Sequence, residues 1–190
     1  MSQAARRPAL QHRVMGAILE GAATVFAAQG ERASMGAVAE ASGVARATLY
    51  RYFPNRESLV AELGEVAVTR GHAALAAARV DEVAPLEGVR RAVRALIEIG
   101  DPFVAVARSR RGDDGGEFER RLSAPLQELF ERGQELGEIR VDIPSAWLTE
   151  SLVGLIVSVL GAKPALGRED TIAHVNGLFL DGAVARSPRR

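Results

Sequence analysis

The sequence predicts an all-α protein of about nine helices, an N-terminal helix-turn-helix bundle followed by a larger helical domain. Three observations carry that prediction. Apolar residues recur at the three- and four-residue spacing of a helical face along nearly the whole chain, while the alternation of half-buried strands is almost absent. Glycines and prolines such as Gly30, Gly43, Pro54, Pro85, Gly137 and Pro144 punctuate the periodic stretches where helices stop and start. Residues 34–59 read as two short helices around a glycine turn, followed by a basic and aromatic surface.

Val14, Ile18, Ala22, Val25 and Phe26 line one face of a first helix that stops at Gly30. Ser34 is an N-cap for the second helix, and its Ala39 sits where two helices must cross closely. Gly43 falls where the chain turns with positive φ, which costs glycine little. Val38, Val44 and Leu49 then close a small apolar core, so Arg46, Thr48, Tyr50 and Arg51 of the third helix point outward, with Tyr52 just beyond. Asn55 caps a fourth helix expected to run to about Arg79, with Leu59, Leu63 and Val66 inward and Glu57 at the positive end of its dipole. That helix is long enough to leave the first bundle and enter the rest of the molecule.

Pro85 opens a fifth helix to about Gly100, and Asp101-Pro102 reads as a cap and first position of another that ends near Gly112. Gly112 to Gly116 is a loop. Further helices are expected over Glu117–Leu136, Pro144–Gly161 and Arg168–Arg186, with a loop at Lys163–Gly167. The resulting division is a reader with an N-terminal arm over 1–60 and a second domain over 61–190.

The 190 residues, 47% of them hydrophobic, suffice for a globular core, and the absence of cysteine excludes a disulfide frame, a thiol catalyst and a cysteine zinc site. The longest apolar run, Leu152 to Ala162, is too short to span a membrane, and no signal-peptide core opens the chain. The expectation is a cytoplasmic protein with no membrane partner. The formal net charge of zero conceals an asymmetry: residues 1–60 carry seven arginines against four glutamates, whereas residues 61–185 carry 14 basic against 20 acidic residues. A basic head on an acidic body concentrates attraction to phosphate at one end.

From about Val14 to Leu63 the chain resembles the DNA-binding module of the tetracycline-repressor (TetR) family of bacterial regulators. The matching residues are Ile18, Ala22, Ala23, Phe26 and Gly30, then Ser34, Val38, Ala39, Gly43-Val44, Ala47-Thr48-Leu49-Tyr50, Tyr52-Phe53, Asn55 and Glu57-Ser58-Leu59. It departs from the family at Ala45, Ala47 and Arg56, where serine, glycine and lysine are frequent. On an arbitrary helix Arg46 and Arg51 would be solvated charges; on the second helix of a DNA reader they face base edges and phosphates, and arginine can bind guanine through two hydrogen bonds. The DNA-contacting set is thus Ser34, Arg46, Ala47, Thr48, Tyr50, Arg51, Tyr52 and Arg56, with Tyr50 and Tyr52 assigned to the backbone by the resemblance. Ser34 and Thr48 also serve as simple caps, and Arg56, unfavourable in a first helical turn, suggests a phosphate partner.

No enzymatic constellation is visible: His12, His72 and His174 are scattered, and no phosphate-binding loop, dinucleotide motif or nucleophile elbow occurs. No metal or cofactor is expected. The resemblance implies that the second domain senses a small molecule and pairs two subunits through its last helices. Ser151, Gly154, Ser158 and Gly161 share one face of the penultimate helix and allow close approach of another helix, so they form the candidate dimer interface. Phe103, Phe118, Leu126, Phe130 and Trp147 are candidates to line a ligand cavity, although such residues at helical spacing equally form plain core. The sequence reading is a homodimeric repressor released from a palindromic double-stranded operator by an apolar or aromatic effector. Its alternatives are an activator, or a helical ligand-binding or enzymatic protein whose reader is disused.

Overall fold

A computed structural model of the chain describes residues 3–100, 104, 116–162 and 166–185, and among them the side chains of 10–30, 32–100, 104, 123–162 and 166–185. The helices are α1 (Gln3–Gln29), α2 (Met35–Ala41), α3 (Arg46–Tyr52), α4 (Arg56–Ala77), α5 (Pro85–Ile99), α6 (Gly116–Glu135), α7 (Ser145–Gly161) and α8 (Arg168–Ala183), with a 3₁₀ turn at Gly30–Arg32. Among the described residues these eight helices are accompanied by a single isolated bridge, Ile139 to Val184, and by no strand ladder. Apart from Val104, which is helical, the helix expected over 101–112 lies outside the described residues. So does the expected loop, apart from Gly116, which opens α6.

Local chemistry sets the boundaries. The Ser34 hydroxyl accepts the Ala37 amide at 3.1 Å, and Gly43 leaves α2 at φ 65°. Asn55 Oδ1 accepts the Ser58 amide at 2.7 Å while Ser58 Oγ accepts the Asn55 amide at 3.5 Å, a reciprocal cap completed by Ser58. α4 stops at Ala77, slightly before the expected Arg79, because Arg79 takes a left-handed φ of 51° and turns to pair with Glu82 at 2.8 Å. α8 stops at Ala183, short of the expected Arg186. There the Ala183 carbonyl accepts the Arg140 amide and the Ala185 amide donates to the Glu138 carbonyl, both at 3.0 Å, so the chain leaves the helix to tie down the α6–α7 turn.

Two hydrophobic clusters result. Ile18, Ala22 and Phe26 of α1 pack with Val38 and Ala39 of α2, Leu49, Phe53, and Leu59, Leu63 and Ala67 of α4, joined by Val104. The second cluster gathers Val68 and Leu75 of α4 with Val89, Val93 and Leu96 of α5, Leu126, Leu129 and Phe130 of α6, Leu152 and Ile156 of α7, and Ile172, Val175 and Phe179 of α8. α4 feeds both, and its 22 residues make a rod of about 33 Å at the usual helical rise. Gly21 lets α1 approach the end of α2 closely: a Cβ there would stand 2.3 Å from Ser42 Oγ and 2.9 Å from the Ser42 amide.

Polar ties hold the connections around the second cluster. Arg132 of α6 donates to the carbonyls of Asp81, Val80 and Val83 at 2.7, 2.8 and 3.0 Å, clamping the α4–α5 link. Arg94 of α5 grips Glu169 of α8 through two bonds of 2.7 Å, which holds the Glu169 carboxyl below its ordinary range and raises the guanidinium. Among the described residues no helix is long and apolar enough to cross a membrane.

Candidate nucleic-acid interface

α2, the turn at Gly43 and α3 make the helix-turn-helix. Its anchor is Leu49, completely buried against Val38 and the α1 residues Ile18 and Phe26. With Leu49 turned inward, helical geometry turns Arg46, Ala47, Tyr50 and Arg51 outward, and all four are exposed, Tyr50 to 49%. Thr48 and Tyr52 are half-buried at the edges of that face, and Phe53 closes the core beneath it. The Arg51 guanidinium stands 5.5 Å from the centre of the Tyr52 ring, so the two form one cationic and aromatic ledge. Ser34 is exposed at the start of α2. Ala45 occupies the cap of α3 and offers no side-chain acceptor, unlike Ser34 and Asn55.

Two arginines behave differently from their neighbours. The Arg46 side chain leaves the first turn of α3 and lies across Gly36 of α2: a Cβ built on Gly36 would be 2.7 Å from Arg46 Nη2, 3.2 Å from Cζ and 3.4 Å from Nε. Arg56 turns toward α1. Its guanidinium sits 4.9 Å from the Phe26 ring centre and Nη2 donates to the Gly30 carbonyl at 3.4 Å, while Nε is buried without a partner. The ring and carbonyl offset the cost of a cation in the first turn of α4, so a phosphate is not needed to account for it.

The other sequence candidates separate. Leu126 and Phe130 are fully buried in the second cluster, with the Phe130 ring 5.7 Å from that of Phe179, and so belong to packed core. Trp147 is 71% exposed on α7, on the outward side that also carries Ser151, Gly154 and Ser158, all exposed. Gly161 is half-buried at the end of the same helix. Phe103, and the side chain of Phe118, lie outside the described residues.

A groove of about 210 Å³ does lie beside the C-terminal half of α4, with Leu75, Val80 and Leu129 as its apolar floor and His72, Asp81, Glu128 and Arg132 around it. The pocket expected between the fourth helix and the middle helices has a different lining from the one anticipated, and neither the Arg132 clamp nor the Arg56–Phe26 stack has a local signal, because each joins residues distant along the chain. Gly36 could have been noticed as a glycine in the first turn of a helix, where it costs propensity.

Comparison with known proteins agrees with this geometry. The model of a family described as bacterial regulatory proteins, tetR family, matches residues 18–63, from Ile18 on α1 to Leu63 on α4. The HTH-type transcriptional regulator NfxB of Pseudomonas aeruginosa is 29% identical over 160 residues, 80% of this chain and 85% of that protein. The TetR transcriptional regulator SCO0520 of Streptomyces coelicolor superposes with a TM-score of 0.59 at 26% identity, over 91% of this chain and 99% of the other. LfrR of Mycobacterium smegmatis, crystallised with proflavine, gives a TM-score of 0.70 at 22% identity over 91% of this chain and 97% of its own.

Proposed function

The chain belongs to the tetR family of bacterial regulatory proteins and is a DNA-binding transcriptional regulator, and from that premise we propose that it is a homodimeric repressor, released from a palindromic operator by a small apolar or aromatic molecule. The observation that carries the DNA half of this reading is the outward set Arg46, Ala47, Tyr50 and Arg51, held by the buried Leu49 beneath it. Arg46 reads a base edge; Tyr50, Arg51, Tyr52, Thr48 and Ser34 hold phosphates and set the register. Arg56 acts from behind, fastening α4 to α1. The proposed division is a reader over 1–60 and a sensing and pairing domain over 61–190; α4 is common to both hydrophobic clusters, and Leu63, Ala67 and Val104 still pack in the first. Two readers must enter successive major grooves about 34–36 Å apart, which calls for a dimer.

Selection from random duplexes tests this reading and is expected to return a palindrome. Arg46→Ala should weaken binding by about 1 to 3 kcal/mol and relax preference at one base per half-site, read by fluorescence anisotropy against single-base variants. An Arg46→Ala protein that binds its selected site as tightly as the parent would remove Arg46 from base readout.

The groove beside α4 is the candidate effector site. Its Leu75 and Leu129 floor suits an apolar body, and exposed Asp81 and Glu128 favour positive charge on the ligand, since Arg132 is already held by three carbonyls. A ligand there bears on the rod that ends in the reader. Release of DNA by ten- to a hundredfold needs about 1 to 3 kcal/mol of coupling, and operator must weaken ligand binding by the same factor. Proflavine, with which LfrR was crystallised, is a first compound for a thermal-shift screen. The expected result is weaker ligand affinity in the presence of operator; equal affinity with and without operator would rule out this mode of release.

A further inference from the structure

We infer that Gly36 is a specificity-determining residue: by carrying no side chain it leaves the slot in which the Arg46 guanidinium rests, and so sets the direction from which that guanidinium meets a base. This rests on Arg46 reading DNA. The slot is seen in the geometry, where Nη2, Cζ and Nε of Arg46 all lie 2.7 to 3.4 Å from the place a Gly36 Cβ would occupy. Any other residue at 36 therefore displaces Arg46.

The displacement falls on the arginine and not on the fold. The crowded atoms are the far end of a flexible, exposed side chain, and Gly36 sits within α2, where alanine has the better helix propensity. Nothing in the first cluster depends on Gly36: the buried residues of α2 are Val38 and Ala39. Glycine at 36 is thus unfavourable for the helix and explained by what lies over it. An arginine resting in a slot has fewer orientations to give up when it forms its paired hydrogen bonds to a guanine, so the slot favours one base at one position.

A double-mutant cycle tests the inference, using the full-length parent, Gly36→Ala, Arg46→Ala and the double variant on the selected duplex and its single-base variants. Gly36→Ala is expected to melt no lower than the parent, to bind the selected duplex about tenfold more weakly, and to flatten preference at the same base that Arg46→Ala relaxes. With Arg46→Ala already present, adding Gly36→Ala should change affinity by less than about twofold. Gly36→Ser, which adds the same Cβ, should repeat the result. Equal losses in both backgrounds would overturn the inference by showing a general effect of α2, as would unchanged preference. Tighter binding by Gly36→Ala would overturn it too, by showing that the slot parks the guanidinium away from DNA. If Arg46→Ala alone changes no base preference, the underlying reading of Arg46 fails, and that single variant identifies the failure.

Discussion

Gly154→Leu is expected to yield a folded monomer that no longer binds the operator. Within one protomer the position is open: among the described residues nothing beyond its own helix backbone and chain neighbours lies within 4 Å of a Cβ built there, and leucine is the better helix former by up to about 1 kcal/mol. The substitution therefore leaves α7 intact and spoils only what a second subunit would place against Ser151, Gly154 and Ser158. The loss on DNA is large because two readers share the work. An operator bound at nanomolar strength corresponds to about −12 kcal/mol, and an equal half of that, about −6 kcal/mol, is a Kd of tens of micromolar. Light scattering at micromolar concentration should show the change from dimer to monomer, and circular dichroism should show undiminished helix. A Gly154→Leu protein that remains dimeric and binds operator would place the interface elsewhere.

Phe26→Ala should do the reverse, unfolding the reader while the dimer survives. Phe26 is fully buried in the first cluster and also carries the Arg56 guanidinium on its ring. Removing it costs about 3 to 5 kcal/mol, a large part of what so small a bundle has to give. It further leaves the buried end of Arg56, whose Nε already lacks a partner, against a void. The second cluster contains no residue of α1, so calorimetry should resolve an early transition of the reader from a later one of the remaining helices. Operator binding should vanish at a temperature where light scattering still reports a dimer. A single cooperative transition at lowered temperature would show instead that α4 welds the two clusters into one unit, and the division near residue 60 would fall.

Much of the reader was legible because its signals are local. Caps at Ser34 and Asn55, the turn at Gly43, and the burial of Val38 and Leu49 all follow from residues within a turn or two of each other, and the structure has them so. Helix order among the described residues was legible for the same reason, with differences at helix ends, as where Arg79 turns left-handed after α4 and where a tertiary tie ends α8. The ligand candidates were less readable. Apolar periodicity says that Leu126, Phe130 and Trp147 lie on helices, and it cannot say that the first two are sealed in core while the third faces outward; that depends on which neighbours the fold supplies. Arg56 shows the same limit: its position in a first turn suggested an anion, and the fold answers with an aromatic ring from thirty residues upstream.

The bridge between Ile139 and Val184 bears on how the two last helices meet a partner. α7 and α8 lie between those residues, so the tie, reinforced by Arg140 donating to the Gly182 carbonyl at 2.9 Å, closes the chain into a ring that contains both. The entropy lost in closing that ring is met during folding of the single subunit and does not reappear on association. Two subunits pairing as proposed would therefore meet as pre-ordered helix pairs, losing little beyond overall tumbling and a few rotamers. Such a pairing would then be strong through a modest surface, as expected where small residues let backbones come close.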